Sequence, residues 1–166
     1  MPNDVFRATD AVLVLAVDDK NTPEGAAADA PITDFGLSNA VGRLRGVTVR
    51  VTSDVRPFYE IGRRYPTALR AGVVQTSGTI DRAHINGALL TLLLGEGAAS
   101  PPPSGTFAQP AFNIICRLED PARPEEETQI TVFGAKLSSW NYNVPMDDFV
   151  MEGVTFQALR VTFSEQ

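Results

Sequence analysis

The sequence has one cysteine, Cys116, and one histidine, His84. A lone cysteine excludes an internal disulfide and points to no oxidising compartment. With no second histidine or cysteine at ligand spacing, a zinc site is not expected, and His84 reads as an ordinary surface or interface residue. Long apolar runs are also missing. The longest early one, residues 11–17, has seven residues and follows Met1-Pro2-Asn3-Asp4, which carries no basic leader. Neither a signal peptide nor a membrane span is expected, and folding is expected in cytoplasm.

Catalytic constellations are equally thin. A Cys–His nucleophile would need Cys116 beside His84, yet Cys116 falls on the apolar phase of its segment and reads as a buried, inert thiol. Asp147, Asp148 and Glu152 follow Pro145 and read as solvated turn acids rather than an acid–base pair. Glu125, Glu126 and Glu127 read as a polar turn. Gly95-Glu96-Gly97 lacks the lysine and the strand-to-helix context of a phosphate loop. No enzyme activity and no cofactor are expected.

What is present is an ordinary globular composition, 43% hydrophobic and 20% charged, in a chain of 166 residues. A chain of that length buries roughly 70% of its unfolded surface as one compact domain, here expected to span residues 1–166. The net charge of −6 conceals a segregation. Residues 1–42 carry seven acids against Arg7 and Lys20, and residues 119–152 carry eight against Arg123 and Lys136. Between them, residues 43–70 carry seven arginines against Asp54 and Glu60. A basic stretch between acidic ones fits either a nucleic-acid patch or one half of a charge-complementary contact between identical subunits. The acidic surplus elsewhere repels DNA and favours the second.

Periodicity predicts a β-rich chain with a single helix. Residues 11–17 fit a buried strand. Asp18-Asp19, Pro23, Gly25, Ala26–Ala28, Pro31 and Gly36 make residues 18–42 read as a long loop. Val47, Val49 and Val51 alternate with Thr48, Arg50 and Thr52, the period of a half-buried strand, which residues 58–61 could extend or pair. Residues 72–80 follow as a strand whose two faces are both mild, as expected where one side meets water or a channel. The helix is expected to start at Asp81, place Ile85, Ala88, Leu89, Leu92 and Leu93 on one stripe, hold Gly87 in its interior and end at Gly95. A Pro-rich loop at 95–110 precedes a strand at 112–118, an acidic turn at 119–127 and a strand at 128–135. Trp140 and Tyr142 fall in a polar stretch outside the strands. Residues 149–163 shift apolar phase near 158, which a bulge or bend would reconcile.

Two stretches carry a resemblance. One is residues 72–81, Gly-Val-Val-Gln-Thr-Ser-Gly-Thr-Ile-Asp, running into the leucine-rich helix. The other is residues 140–158, closing on Glu152-Gly-Val-Thr-Phe-Gln-Ala158. Together with the element order over residues 43–163, they resemble the tail tube proteins of contractile phages and, more distantly, the tube components of bacterial injection machines. No short invariant motif defines that family, and the loops at 18–42 and 95–110 allow no carry-over of loop contacts.

The resemblance implies an antiparallel β-sandwich or barrel, mainly β in an α+β class, with one flanking helix. It implies a homo-hexameric ring whose sheets join around a lumen, rings stacked into a tube of the virion tail, and assembly in the host cytoplasm. Double-stranded DNA would pass through without specific binding, and sheath, baseplate, terminator and tape-measure proteins would be partners. On this reading the subunit contacts involve Arg43, Arg45, Arg50, Arg63, Arg64, Glu125, Glu126, Trp140, Tyr142, Asp147 and Asp148. The lumen should be neutral to acidic, because a basic lining would grip phosphates. The alternatives are a monomeric β-sandwich binding module using Tyr59, Tyr65, Trp140 and Tyr142, or another ring-forming tail component such as a terminator or baseplate adaptor.

Overall fold

A computed structural model describes residues 6–100 and 107–165. Seven antiparallel strands dominate: β1 (Ala11–Ala16), β2 (Leu44–Phe58), β3 (Ala68–Ala83), β4 (Phe112–Asp120), β5 (Arg123–Asn143), β6 (Met151–Ala158) and β7 (Arg160–Glu165). They form a mainly β architecture of the α+β class, as the alternation of β-branched and polar residues leads one to expect.

The organising strand is β5, whose 21 residues serve two sheets. Its first half pairs with β4 on one side and β7 on the other, and β1 extends that sheet beyond β4. Its second half, from Lys136, pairs with β6, and β3 and β2 continue that second sheet in order. The change of partner falls at Gly134, whose φ of +64° only glycine adopts cheaply; Leu159 packs where a Cβ would stand. Leu159 is also where the closing segment breaks into β6 and β7, so the phase shift near 158 is a strand crossing from one sheet to the other.

One apolar cluster joins both sheets and both helices, with Leu13, Leu15, Phe112, Ile114 and Val132 from the first sheet and Ile80, Leu137, Val154 and Phe156 from the second. Gly78 lies on the same face as Ile80, and a side chain there would collide with the Phe156 ring and the Thr48 carbonyl.

Four expectations are corrected. The loop at 18–42 contains a helix, α1 (Pro23–Asp34), so two helices flank the sheets rather than one. Thr22 Oγ1 caps it by accepting from Gly25 N–H at 3.1 Å, Pro23 sits at the first turn where its missing N–H costs nothing, and the alanines are strong helix formers. Gly25, Ala28, Pro31 and Ile32 face the core.

The second helix, α2, is only Ala88–Leu94. β3 runs on to Ala83 instead, so Asp81 is a strand residue, Gly87 is the N-cap rather than an interior residue, and Ile85 is exposed. Ala88, Leu89 and Leu92 do form the buried stripe, and Gly95 closes it at a φ of +59°.

The acidic turn at 119–127 shrinks to Pro121-Ala122, with Glu125 and Glu126 already in β5. Trp140 and Tyr142 likewise lie in β5, not outside the strands. In the Pro-rich stretch, residues 101–106 lie outside the described residues; Gly95–Ala98 is a 3-10 turn. No helix among the described residues is long and apolar enough to cross a membrane.

Candidate assembly interface

The β2–β3 hairpin is twice as long as the sheet that supports it. β3 pairs with β6 only from Thr76 to Ala83, whereas its pairing with β2 continues to Ala68 and Phe58. Beyond Thr76 the two strands form a free arm of about 26 Å at roughly 3.3 Å per residue, capped by the tip at residues 59–67.

The register fixes its faces. Val47, Val49 and Val51 lie opposite Ile80, Gly78 and Thr76 on the core side, and the same face continues outward through Ser53, Val55 and Pro57 opposite Val74, Ala71 and Leu69. Val47 and Val49, nearest the body, are half-buried, and Val51 is already 53% exposed. On the arm nothing among the described residues covers this face: Val55 is 52% exposed and Leu69 66%. The opposite face of the arm carries Asp54, Arg56 and Arg70, with Arg56 Nε donating to Asp54 Oδ2 at 2.9 Å. A two-stranded ribbon is marginal alone in water, and an uncovered apolar face of this kind marks a candidate interaction surface.

The solvent face of the second sheet is different in kind. Thr48, Arg50 and Thr52 of β2 lie beside Ser77, Thr79 and Gln75 of β3, and Thr155 and Gln157 of β6 beside Ser139 and Lys136 of β5. It is a hydroxyl and amide surface, with Ser138 Oγ and Thr155 Oγ1 2.9 Å apart. Its charges are few and mixed: Arg50, Asp81, and Lys136, whose Nζ reaches Glu24 Oε1 at 2.7 Å. The mild faces of residues 72–80 correspond to this surface.

At the end of the sheet away from the arm, Ala83 pairs with Met151 and the β5–β6 loop, residues 144–150, projects. Beneath it lies a buried ionic cluster. Arg82 and Glu152, each 1% exposed, face one another across β3 and β6, with Arg82 Nε donating to Glu152 Oε1 at 2.5 Å. The other guanidinium nitrogens donate to the Val41 carbonyl at 2.7 Å and to Asn86 Oδ1 at 3.1 Å. Trp140 Nε1 donates to Glu152 Oε2 at 3.0 Å. Tyr142 stacks on Trp140 at 5.5 Å and meets the His84 ring edge-on at 4.8 Å. His84 Nδ1 lies 3.3 Å from Glu152 Oε2 without hydrogen-bond alignment.

Glu152 is therefore a core residue, not the solvated turn acid expected. The available signal was phase: Arg82 continues the apolar phase of Ile80, and Glu152 that of Val154 and Phe156, so two opposite charges sit on the buried faces of neighbouring strands.

The expected contact residues separate into distinct places. Arg50 lies on the polar sheet face, Arg43 and Arg45 are exposed at the start of β2, and Arg63 and Arg64 are at the arm tip. Asp147 and Asp148 are exposed in the β5–β6 loop at the other end, and Trp140 and Tyr142 lie in the cluster beneath it. Glu125 and Glu126 sit at the far end of β5, with Glu126 3.7 Å from Arg123. The apolar arm face is the feature that the sequence reading missed. Tyr59 and Tyr65, on the arm tip, are remote in the register from Trp140 and Tyr142, so the four aromatics form no common platform.

His84 and Cys116 do not pair: His84 follows β3, and Cys116 lies in β4 between Leu13 and Ile130. Cys116 is half-buried rather than fully buried as expected, and that desolvation pushes its thiol up, which keeps it protonated. Alkylation of native Cys116 at pH 8 should accordingly be at least about tenfold slower than that of the unfolded chain, because the thiolate is the reacting species. Equal rates, followed by mass spectrometry, would contradict this burial.

No family model matches the chain, and no curated protein matches it. Solved structures do. A chain of the sheath–tube complex of an extracellular contractile injection system, PVC, superposes with a TM-score of 0.64 at 12% identity, covering 99% of this chain and 94% of that one. The tube-terminating cap of the anti-feeding prophage gives 0.64 at 11% identity, covering 100% and 95%. The SPP1 tail tube gives 0.56 at 13% identity, covering 98% and 80%.

The chain has the tail-tube fold. At such identities the likeness speaks to fold alone.

Proposed function

We propose that this chain is a structural subunit of a tail tube: six copies form a ring, and rings stack into the conduit of a virion tail or related particle. The observation that carries this reading is the β2–β3 arm, whose apolar face leaves the body and is covered by nothing among the described residues. Ring closure has a matching requirement. The second sheet ends in two open strand edges, β2 and the second half of β5, and an open edge is an aggregation hazard unless a neighbour pairs with it. Head-to-tail pairing of β2 with β5 of the next copy uses both edges and closes a ring.

In that ring the hydroxyl and amide face of the second sheet lines the lumen. Its sparse, mixed charge gives phosphates few places to bind, so double-stranded DNA slides through without the counterion-driven grip of a basic wall. In this reading Arg63 and Arg64, at the arm tip, serve subunit contacts together with Arg43 and Arg45 at the start of β2, while Arg50 is carried by the polar face. Sheath, baseplate and tape-measure proteins are the partners of such a tube.

A terminator or cap is the second reading, supported by the likeness to the tube-terminating cap. It differs in consequence: a cap stacks on one side only. Negative-stain microscopy over a concentration series tests both. Hollow tubes that lengthen with concentration are expected. Rings that never stack would support the cap, and a protein monomeric throughout, even with baseplate or tape-measure partners, would support the binding-module reading.

A further inference from the structure

The arm tip and the β5–β6 loop stand at opposite ends of one sheet, and their surfaces are complementary. Antiparallel pairing places Ala83 beside Met151 at one end, while the hairpin tip lies beyond Phe58 and Ala68 at the other. A second copy displaced along the strand direction therefore brings its loop to the first copy's tip.

The tip carries Arg63 and Arg64 against Glu60, with Ile61 fully exposed and Tyr65 nearly so; Gly62 makes the turn at a φ of +81°. The loop carries Asp147 and Asp148 with no cation, flanked by Met146 and Phe149, which are 96% and 79% exposed. Among the described residues none of Arg63, Arg64, Asp147 and Asp148 forms an ion pair within the chain. Of the neighbouring acids at the start of β5, Glu126 lies 3.7 Å from Arg123 and Glu127 3.8 Å from Arg117, and the exposed Glu125 stands at the opposite end of β5 from the β5–β6 loop.

We propose that the arm tip of one copy docks on the β5–β6 loop of a second copy, Arg63 and Arg64 against Asp147 and Asp148, and Ile61 and Tyr65 against Met146 and Phe149. This rests on the tube reading and adds the receiving surface to it. The loop is presented on a fixed base: His84 N–H donates to the Val150 carbonyl at 2.9 Å, and Glu152, two residues further on, is locked to Arg82. A pre-ordered receptor loses little entropy on binding. Charge pairs flanked by apolar contacts also fix register more than they add affinity, as a repeating stack requires.

The test is a charge-swap set in the full chain: Arg63→Asp/Arg64→Asp, Asp147→Arg/Asp148→Arg, and a mixture of the two variants in equal amounts. All four positions are exposed, so thermal unfolding should be unchanged. Each variant alone should raise the concentration needed for tubes, measured by pelleting and microscopy in 150 mM salt, by about tenfold or more. A chain carrying all four substitutions should restore assembly to within roughly threefold of wild type. In the equal mixture, contacts are oppositely charged wherever the two variants alternate along the stack and like-charged wherever they do not, so recovery should be partial.

Wild-type tubes with singly reversed variants that assemble equally well would overturn the docking and leave the tube reading intact. So would reversed variants that fail while the fourfold variant is not rescued. Wild-type protein that never associates would overturn both.

Discussion

Val55→Asp/Leu69→Asp should remain folded and lose the ability to form tubes. Both residues lie on the arm beyond the last residue that β6 supports, on the face that continues the core side of the sheet. Each is more than half exposed in the single chain, so a carboxylate there is solvated in the monomer. Buried against a neighbour, the same carboxylate loses its water. Each wild-type side chain still has about half of its burial energy to gain, on the order of 1 kcal/mol apiece. A charge in that interface costs several kcal/mol more unless it finds a partner.

In a stack the contact recurs at every subunit, so assembly should fall by more than about a hundredfold in critical concentration, with the midpoint of thermal unfolding within roughly 2 °C of wild type. Sedimentation and calorimetry on the same samples separate the two effects. Tubes forming at wild-type concentration would mean that the apolar face of the arm does not carry the contact.

Glu152→Gln should have the largest effect on the folded chain itself. Among the described residues the carboxylate is the one anion paired with the Arg82 guanidinium, which is buried and has committed its other nitrogens to the Val41 carbonyl and Asn86. Neutralising Glu152 leaves that cation uncompensated inside the core, which typically costs about 3–5 kcal/mol. For a chain of this size the midpoint of thermal unfolding should fall by roughly 10 °C. Arg82→Met/Glu152→Leu should lose less than the single change, because no buried charge remains, although the Val41 carbonyl and Trp140 Nε1 lose their partners. A Glu152→Gln midpoint within about 2 °C of wild type would show that the pair contributes little. The pair ties β3 to β6, and Arg82 also holds Asn86 just ahead of α2, at the end of the sheet that carries the β5–β6 loop. The destabilised variant should therefore assemble poorly as well.

The strands were legible where apolar and polar residues alternate without interruption. Val47, Val49 and Val51 mark β2, Phe112, Ile114 and Cys116 mark β4, and the phase shift after Phe156 marks the crossing between sheets. The arm was not legible, because alternation reads the same whether the apolar face meets its own core or another subunit; only the register with β6 shows where support stops. Pro23 and Pro31 hid α1, since proline breaks a helix in its middle yet is favourable at its start, and the alanines, strong helix formers, leave no marked apolar stripe to read. Arg82 and Glu152 stand 70 positions apart, and their meeting is a product of strand register that local pattern does not encode. The charge segregation, by contrast, was visible at once. What the fold adds is the separation of Arg63 and Arg64 from Asp147 and Asp148 to opposite ends of one sheet, which gives the proposed stacking its direction.

The central claim is that identical copies join into a tube with the hydroxyl and amide face inward. A cryo-electron reconstruction of the purified, concentrated protein tests it most directly. The expected map has six copies per ring, Ser77, Thr79 and Thr155 facing the channel, and the β2–β3 arm crossing to the next ring. A ring with the polar face turned outward, or an arm folded back on its own subunit, would contradict the account.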